Sequence, residues 1–458
     1  MKDMIAQLRE ALGPQKVLTS LEDRVAYSYD GTFAQGLPDL AVLPESTDEV
    51  ATVVRLAAVH RVPLVPRGMA SGLAAASIPF DGGIALSLTR MTRVLELDED
   101  NRVIRVEAGI VTADLQAMVE KMGLFYPPDP SSNKQSTIGG NIACNAGGPR
   151  CLKYGVTGDY VMGLTVVLPD GQVLETGGKA IKNVVGYDLT SLFVGSEGTL
   201  GIITEALLRL TAKPTVVRTA RAEFVNLDDA SRTVNAILAA GIVPATLELM
   251  DETAITCIEE AMKLGLPLDV EAVLIIETDG SDEEAVVREI EAVAQICREQ
   301  GVREVKVARD EKERGSLWRA RRSVSPALAR KAPNKLGEDI TVPRSAIPEA
   351  IRRIKAISAR HGLPIVIFGH AGDGNLHPNI LFDRRDAAQW EKVEQMVAEI
   401  FAVALELGGT LSGEHGVGTL KQPFMLQALG PVSINVQRQI KQVLDPLNIM
   451  NPGKVLPQ

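Results

Sequence analysis

The sequence predicts an α+β fold in two domains. Three observations carry this. The chain has 458 residues, more than one hydrophobic core ordinarily organises. Its 45% hydrophobic and 23% charged residues match a compact globular protein. Strand-like and helix-like stretches are interleaved, and near Lys213-Pro214 their pattern changes from glycine-rich turns to regular alternation.

Residues 1–37 read as a small helical lead-in. Ser46 and Glu49 form a capping box, and Val50, Val53, Val54, Ala57 and Ala58 then repeat at helical spacing. Val62 to Val65 reads as a strand, followed by a turn of small residues, Pro66 to Gly72. Strands flank the acidic turn Asp98 to Asn101, and a helix from Thr112 to Met122 is closed by Gly123. Pro127 to Gly158 is long, polar and glycine-rich without a period, which next to strong strand sequence marks a functional segment. A strand, Met162 to Leu168, leads to a hairpin turn at Pro169-Asp170-Gly171, and Gly195 to Gly201 precedes a strand at Ile202 to Leu210.

Beyond residue 214 the expected order is strand 216–225, helix 227–240, strand 244–250, helix 252–263, strand 270–277, helix 281–300 (capped by Ser281 with Glu284) and strand 302–308. A helical region at 311–332 and strands near 338–342 and 364–369 follow. Two histidine-bearing loops, 369–379 and 410–418, lead to a C-terminal helix and Asn451-Pro452-Gly453-Lys454.

Composition excludes several classes. A net charge of −10 argues against a nucleic-acid backbone or an anionic membrane as partner. Aromatics at 4% are too few for a base-stacking surface. Cys144, Cys151, Cys257 and Cys297 are scattered without a CxxC pair, so the chain alone builds neither a thiolate zinc site nor an iron–sulfur cluster. Reduced thiols, no secretory leader and no apolar run near the roughly 20 residues of a membrane span point to the cytoplasm.

The strongest local signal is Gly369-His370-Ala371-Gly372-Asp373-Gly374-Asn375-Leu376-His377. On one regular strand an odd separation sends side chains to opposite faces. The Gly-Asp-Gly-Asn turn lets the two rings swing back to one point, and paired imidazoles suit a divalent metal. The second signal is Ser412-Gly413-Glu414-His415-Gly416-Val417-Gly418. Adjacent side chains diverge, so Glu414 is assigned to the metal and His415 to proton transfer. A His2Glu set leaves coordination positions open for substrate. The ordinary reading is hydrogen-bonded structural histidines, but glycine on both sides of each loop says that the backbone approaches something closely. The glycine clusters near 68, 139–148 and 195–201 read as phosphate cradles or, more plainly, as surface turns. Gly195-x-x-Gly-x-x-Gly201 is no Rossmann fingerprint. The basic stretch Arg314 to Lys335 is mostly a solvated helix face, with one or two cations available for a substrate carboxylate.

At these motifs the chain resembles the vanillyl-alcohol-oxidase or PCMH-type FAD-linked oxidoreductases, in the branch that contains D-lactate dehydrogenase, D-2-hydroxyglutarate dehydrogenase and the flavoprotein of glycolate oxidase. PPDPSS, TIGGNIACNAGG, LKYGVTGDYV, NVVGYDLTSLFVGSEGTLGIITEA, GHAGDGNLHPNI, SGEHGVG and NPGK carry it over nearly the whole length. The resemblance implies a PCMH-type FAD-binding domain of two α+β subdomains over 38–214. An α+β cap domain with an antiparallel sheet follows over 215–458, its tail returning to the flavin. It implies that Arg67, Gly68 and Ser71 lie at the pyrophosphate. Pro130, Ser131, Thr137, Gly139, Gly140, Asn141, Asn145, Gly147 and Gly148 would line the FAD groove, with Glu197, Gly198 and Ile203 at the adenosine and Asn451 also at the cofactor. His370, His377 and Glu414 look like ligands to zinc, manganese or iron, and His415 looks like the catalytic base. Arg321, Ser325 and Lys335 fall at or near the substrate-carboxylate positions. One departure stands out: where the family has a glycine run, Met69 and Ala70 add side chains that resist positive φ.

The activity so implied is oxidation of a small D-2-hydroxy acid to the 2-oxo acid by hydride transfer to flavin N5. Electrons then pass to a separate acceptor, an iron–sulfur protein of a larger complex being one candidate, and a homodimer is one assembly. The competing readings are an FAD-dependent transferase of the alkylglycerone-phosphate synthase type, a non-catalytic flavoprotein that serves assembly, and a metal protein without flavin.

Overall fold

The structure, a computed structural model, describes residues 1–457. The chain divides into two compact units, and each is interrupted in sequence. The first holds Met1–Gly147, Val156–Lys213 and the residues from Glu414 onward; the second holds Gly148–Gly155 and Pro214–Gly413.

The first unit carries two main sheets. One has four strands in the order Val17–Leu18, Leu40–Val42, Ile84–Ser87, Leu64–Arg67, parallel except for its first pair. The other has five antiparallel strands in the order Val94–Asp98, Val103–Glu107, Ile202–Arg209, Val161–Val167, Val173–Gly177. Helix Thr47–His60 buries Val50, Val53, Val54 and Ala57, the stripe that its apolar spacing predicts. Its cap differs in one detail. Ser46 Oγ accepts from the Glu49 amide, but the Glu49 carboxylate accepts from the Glu45 amide and pairs with Lys16. The lead-in is part of the core: Met4, Leu8 and Leu12 of helix Lys2–Leu12 bury in the same cluster as that stripe.

The second unit is built on one antiparallel eight-stranded sheet. Its order is Glu304–Val307, Val216–Phe224, Ala272–Gly280, Thr246–Asp251, Ile365–His370, Asn375–Phe382, Asn334–Gly337, with Ile340–Thr341 also paired to Asn375–Phe382. Met250, Val273, Ile275, Val366 and Leu381 form an apolar patch on this sheet, and helices Glu252–Met262, Glu311–Arg322 and Val324–Lys331 cover it. Alternation along a strand then decides what else shares that face. Glu248 lies two residues from Met250, Phe368 and His370 continue from Val366, His377 and Asn379 precede Leu381, and Lys335 pairs with Leu381.

Several expectations change. The segment 127–158 contains two short helices, Ile138–Cys144 and Cys151–Tyr154. The cap of helix Glu283–Glu299 is Asp282, which accepts from the Ala285 amide, and not Ser281. The expected strand near 338–342 resolves into Asn334–Gly337 and Ile340–Thr341. The expected loop 369–379 is strand, tight turn and strand. Helix Ala387–Glu406 adds an element beyond those expected.

Ala70 occupies the left-handed region that its side chain resists, with φ 54°. A β-carbon there costs about 1 kcal/mol relative to glycine. Ala70→Gly should therefore raise the unfolding free energy of the flavin-free protein by about 0.5 kcal/mol or less in urea titration, glycine entropy offsetting part of the relief. A loss of stability on this substitution would show that the turn carries no strain.

Candidate functional site

The hairpin explains how an odd spacing places two imidazoles together. His370 ends one strand and pairs with Asn375, while His377 pairs with Phe368, so both rings rise from one face. Their Nε2 atoms are 3.4 Å apart and the rings meet edge to face. The other nitrogen of His370, Nδ1, is in a short hydrogen bond with Glu248 on the neighbouring strand. Glu248 also accepts from Arg321 Nε at 2.6 Å. Its carboxyl is 1% exposed. Burial pushes its pKa up, but the charges and hydrogen bonds of His370 and Arg321 override this and hold it at about 2. When His370 gives up its Nε2 proton, an ionised carboxylate on Nδ1 favours the tautomer that leaves the Nε2 lone pair for an electrophile.

The glycines of this hairpin face protein. A β-carbon at Gly369 would fall 2.2 Å from the Asn375 carbonyl oxygen, and one at Gly374 would fall 2.0 Å from that of Val342. Gly374 also needs its φ of 85°. The close approach inferred from glycine spacing is real, and its object is the surrounding backbone.

The second loop is tied to the same sheet. Buried Asp339 accepts from the Ser412 hydroxyl, the Gly413 amide and Asn375 Nδ2 at 2.8, 3.0 and 2.7 Å. Glu414 is the next residue. One ligand atom from each of His370, His377 and Glu414 lies within 4.8 Å of the others. Two imidazoles and a carboxylate are a donor set that fits zinc, manganese or iron. His415 stays outside this set, its Nε2 3.8 Å from Glu414 Oε1.

Of the expected carboxylate-binding residues, Arg321 is engaged by Glu248, and its guanidinium stacks 4.6 Å from the Phe368 ring centre. Lys335 donates to Ser325 Oγ at 2.5 Å, and partial burial lowers its pKa. Lys335 forms no ion pair among the described residues, so its cation lacks a protein counter-ion.

In the first unit the three glycine-rich turns converge. A β-carbon at Gly68 would strike Thr137 Oγ1 at 2.2 Å, and one at Gly198 would strike Pro66 at 2.4 Å. The Gly195 and Glu197 amides donate to Ile142 and Ala143 carbonyls of helix Ile138–Cys144. Thr137 caps that helix through the Gly140 amide, and Gly139 abuts Ala108. A β-carbon at Gly140 would meet Thr137 Oγ1 alone, and one at Gly72 would meet nothing within 4 Å, which leaves open space beside the main chain. Asn145, Glu197 and Asn451 join Ala70 in the left-handed region. Such backbone strain gathers at ligand sites. Arg67 Nε and Asn451 Oδ1 are buried without a hydrogen-bond partner. Strained turns, open glycine faces and unsatisfied buried donors and acceptors fit a bound dinucleotide.

Several expected cofactor residues also have structural roles. Arg67 donates to the Tyr27 and Tyr29 carbonyls at 2.7 and 3.1 Å, tying down the lead-in. The Glu197 carboxylate accepts from the Val417 and Gly418 amides, and the Asn451 amide donates to the Glu197 and Ala76 carbonyls. Asn141 donates to Thr112, Asn145 accepts from the Gly158 amide, and Ile203 is buried in a strand. Pro130 is buried, Ser131 exposed and Ser71 half-buried; Gly147 ends one stretch of the first unit and Gly148 begins the excursion into the second.

Glu248 and Asp339 were not anticipated. The signal for Glu248 was present: one acidic residue flanked by Leu247 and Leu249 in a strand with every residue buried. A carboxylate persists in such a place only when paired.

The profile described as FAD binding domain matches residues 38–177, and that described as FAD linked oxidases, C-terminal domain, matches 213–455. Glycolate oxidase subunit GlcD of Bacillus subtilis is 48% identical over 455 residues, covering 99% of this chain and 97% of that protein. D-lactate dehydrogenase of Anaerostipes hadrus is 35% identical, with 99% and 97% covered. D-2-hydroxyglutarate dehydrogenase of Stutzerimonas stutzeri is 35% identical, with 99% and 98% covered. Among solved structures, p-cresol methylhydroxylase shares the fold at a TM-score of 0.84 and 17% identity, covering 99% of this chain and 96% of that one. An alkyldihydroxyacetonephosphate synthase does so at 0.77 and 22%, covering 99% and 86%. The chain belongs to the PCMH-type FAD-linked oxidoreductases, in the branch of glycolate oxidase and D-lactate dehydrogenase, and is an FAD-dependent oxidoreductase.

Proposed function

We propose that this enzyme oxidises a small D-2-hydroxy acid to its 2-oxo acid with the help of one divalent metal ion. The observation that carries the reading is the His370, His377 and Glu414 cluster, with His370 oriented by Glu248. The relatives named for glycolate, D-lactate and D-2-hydroxyglutarate support the substrate class. The synthase-like fold is shared at low identity and does not favour a transferase.

Lys335, with Ser325 beside it and Arg321 on the same side of the sheet, receives the substrate carboxylate. His370, His377 and Glu414 hold the ion, which when bound supplies a Lewis acid that lowers the pKa of the 2-hydroxyl. His415 accepts the hydroxyl proton as the C2–H bond breaks. FAD, when bound on the main chain of 68–72, 137–148 and 195–198, supplies the acceptor for the C2 hydrogen and its electron pair. The four scattered cysteines make no cluster that could carry electrons onward, so a separate acceptor reoxidises the flavin; the relative named as a subunit of glycolate oxidase makes a partner protein the first candidate.

The direct test is anaerobic bleaching of the flavin absorbance by D- and L-2-hydroxy acids, before and after chelation. A D-specific bleach that chelation abolishes and added metal restores supports the proposal. A bleach indifferent to chelator contradicts the metal's role. His415→Asn should lower turnover by about 100- to 10,000-fold with flavin and metal content unchanged; ordinary turnover would remove His415 from the mechanism. Glu248→Gln should weaken metal binding roughly 10- to 100-fold, read as metal retained after graded chelator dialysis. Retention equal to the parent's would mean that Glu248 does not orient a ligand.

A further inference from the structure

Residues Gly148–Gly155 lie between two stretches of the flavin-binding unit yet cluster with the second unit. They form the short helix Cys151–Tyr154, which is tied to Asp279. Lys153 Nζ donates to the Asp279 carboxylate at 2.5 Å and to its carbonyl at 2.6 Å, and the Tyr154 hydroxyl donates to the second carboxylate oxygen at 2.7 Å. Asp279 is buried near the end of strand Ala272–Gly280. Three bonds to one aspartate fix the height and rotation of this turn, and with it the preceding side chain, Leu152.

Leu152 lies against the turn of the histidine hairpin. A β-carbon at Gly372 would fall 2.4 Å from Leu152 Cδ2 and 3.1 Å from its Cγ. Gly372 is not in the left-handed region, in contrast with Gly374 at φ 85°. Its backbone therefore does not require glycine; the leucine does. Backbone bonds hold the far side of the turn, the Gly374 amide donating to the His370 carbonyl and the Val342 amide to the Gly374 carbonyl, each at 3.0 Å; at Gly372 itself the bonds are long, its amide reaching the Leu247 carbonyl at 3.4 Å and Arg344 reaching its carbonyl at 3.4 Å. A cavity of about 590 Å³ borders Leu152, Gly372 and Asp373. Shortening Leu152 would enlarge this space beside the turn and remove the packing against Gly372.

We propose that Leu152 is a positioning residue for the metal-ligand hairpin. It presses on Gly372 and so sets the turn that aims His370 and His377 at one point, and Asp279 sets Leu152 through Lys153 and Tyr154. This rests on the metal-site reading above and extends the ligand set's support to a segment remote from it in sequence.

The test is calorimetric titration of Mn²⁺ into full-length, flavin-loaded, chelator-stripped protein. Leu152→Ala should bind Mn²⁺ about 10-fold more weakly, the lower end of what support around a metal ligand contributes. Gly372→Ala should also weaken binding, through collision with the leucine. The double variant should bind more tightly than the product of the two single losses predicts, because each change relieves the other. Leu152→Met, of similar volume, should bind as the parent does. Flavin absorbance and circular dichroism certify folding in each case, and Leu152→Val replaces Leu152→Ala if the latter loses its flavin. Parent-like affinity in the shortened variant, or single losses that multiply without relief, would overturn the proposal. A parent protein that binds no Mn²⁺ would instead overturn the metal-site reading.

Discussion

A buried carboxylate organises the second unit's chemistry. Glu248 sits in the middle of the eight-stranded sheet, joined to His370 on one side and to Arg321 on the other. Removing an ionised carboxylate from water is unfavourable by several kcal/mol unless opposite charge and hydrogen bonds compensate. Both partners also meet other groups on that face of the sheet: His370 presents Nε2 to Nε2 of His377, and the Arg321 guanidinium stacks on Phe368. The sheet register makes this possible, because Glu248 and His370 are direct cross-strand partners. A shift of one residue in either strand would send the histidine to the opposite face and leave the carboxylate unpaired.

Glycine plays two different roles in the molecule. In the hairpin its smallness lets backbone and side chains meet at distances that a β-carbon forbids, as at Gly369 and Gly372. In the flavin-binding unit it accompanies a set of strained positions. Asn145, Glu197 and Ala70 adopt left-handed backbone within the glycine-rich segments, and Asn451 does so in the C-terminal segment bonded to Glu197. Tertiary bonds hold several of these: Glu197 is buried, its carboxyl pushed up by burial and partly restrained by the Val417 and Gly418 amides. The SGEHGVG loop and the C-terminal Asn451 thus return to the turn at Glu197, so the last segment of the chain completes the first unit.

Much of this was legible in the sequence because periodicity and local chemistry speak directly. The apolar stripe of helix Thr47–His60, the strand and helix alternation after Pro214 and the turn between the two histidines were all readable. What was not readable depended on partners distant in the chain. Glu248 and His370 are 122 residues apart, and nothing local to either announces the other. Asp339 is likewise defined by Ser412 and Gly413, more than 70 residues on. Cap residues one position apart, as with Ser281 and Asp282, have the same chemistry, and only the geometry of entry into the helix selects between them. Helix Ile138–Cys144 was hidden because its glycines disfavour helix, and tertiary packing against Ala108 and the 195–198 turn overrides that preference.

Anomalous diffraction from crystals grown with Mn²⁺, collected at the manganese edge, addresses the central claim without recourse to activity. The account predicts one strong peak bonded by Nε2 of His370, Nε2 of His377 and the Glu414 carboxylate, with Glu248 still on His370 Nδ1. Density showing those three side chains without an ion between them, or an ion held by other residues, would contradict it.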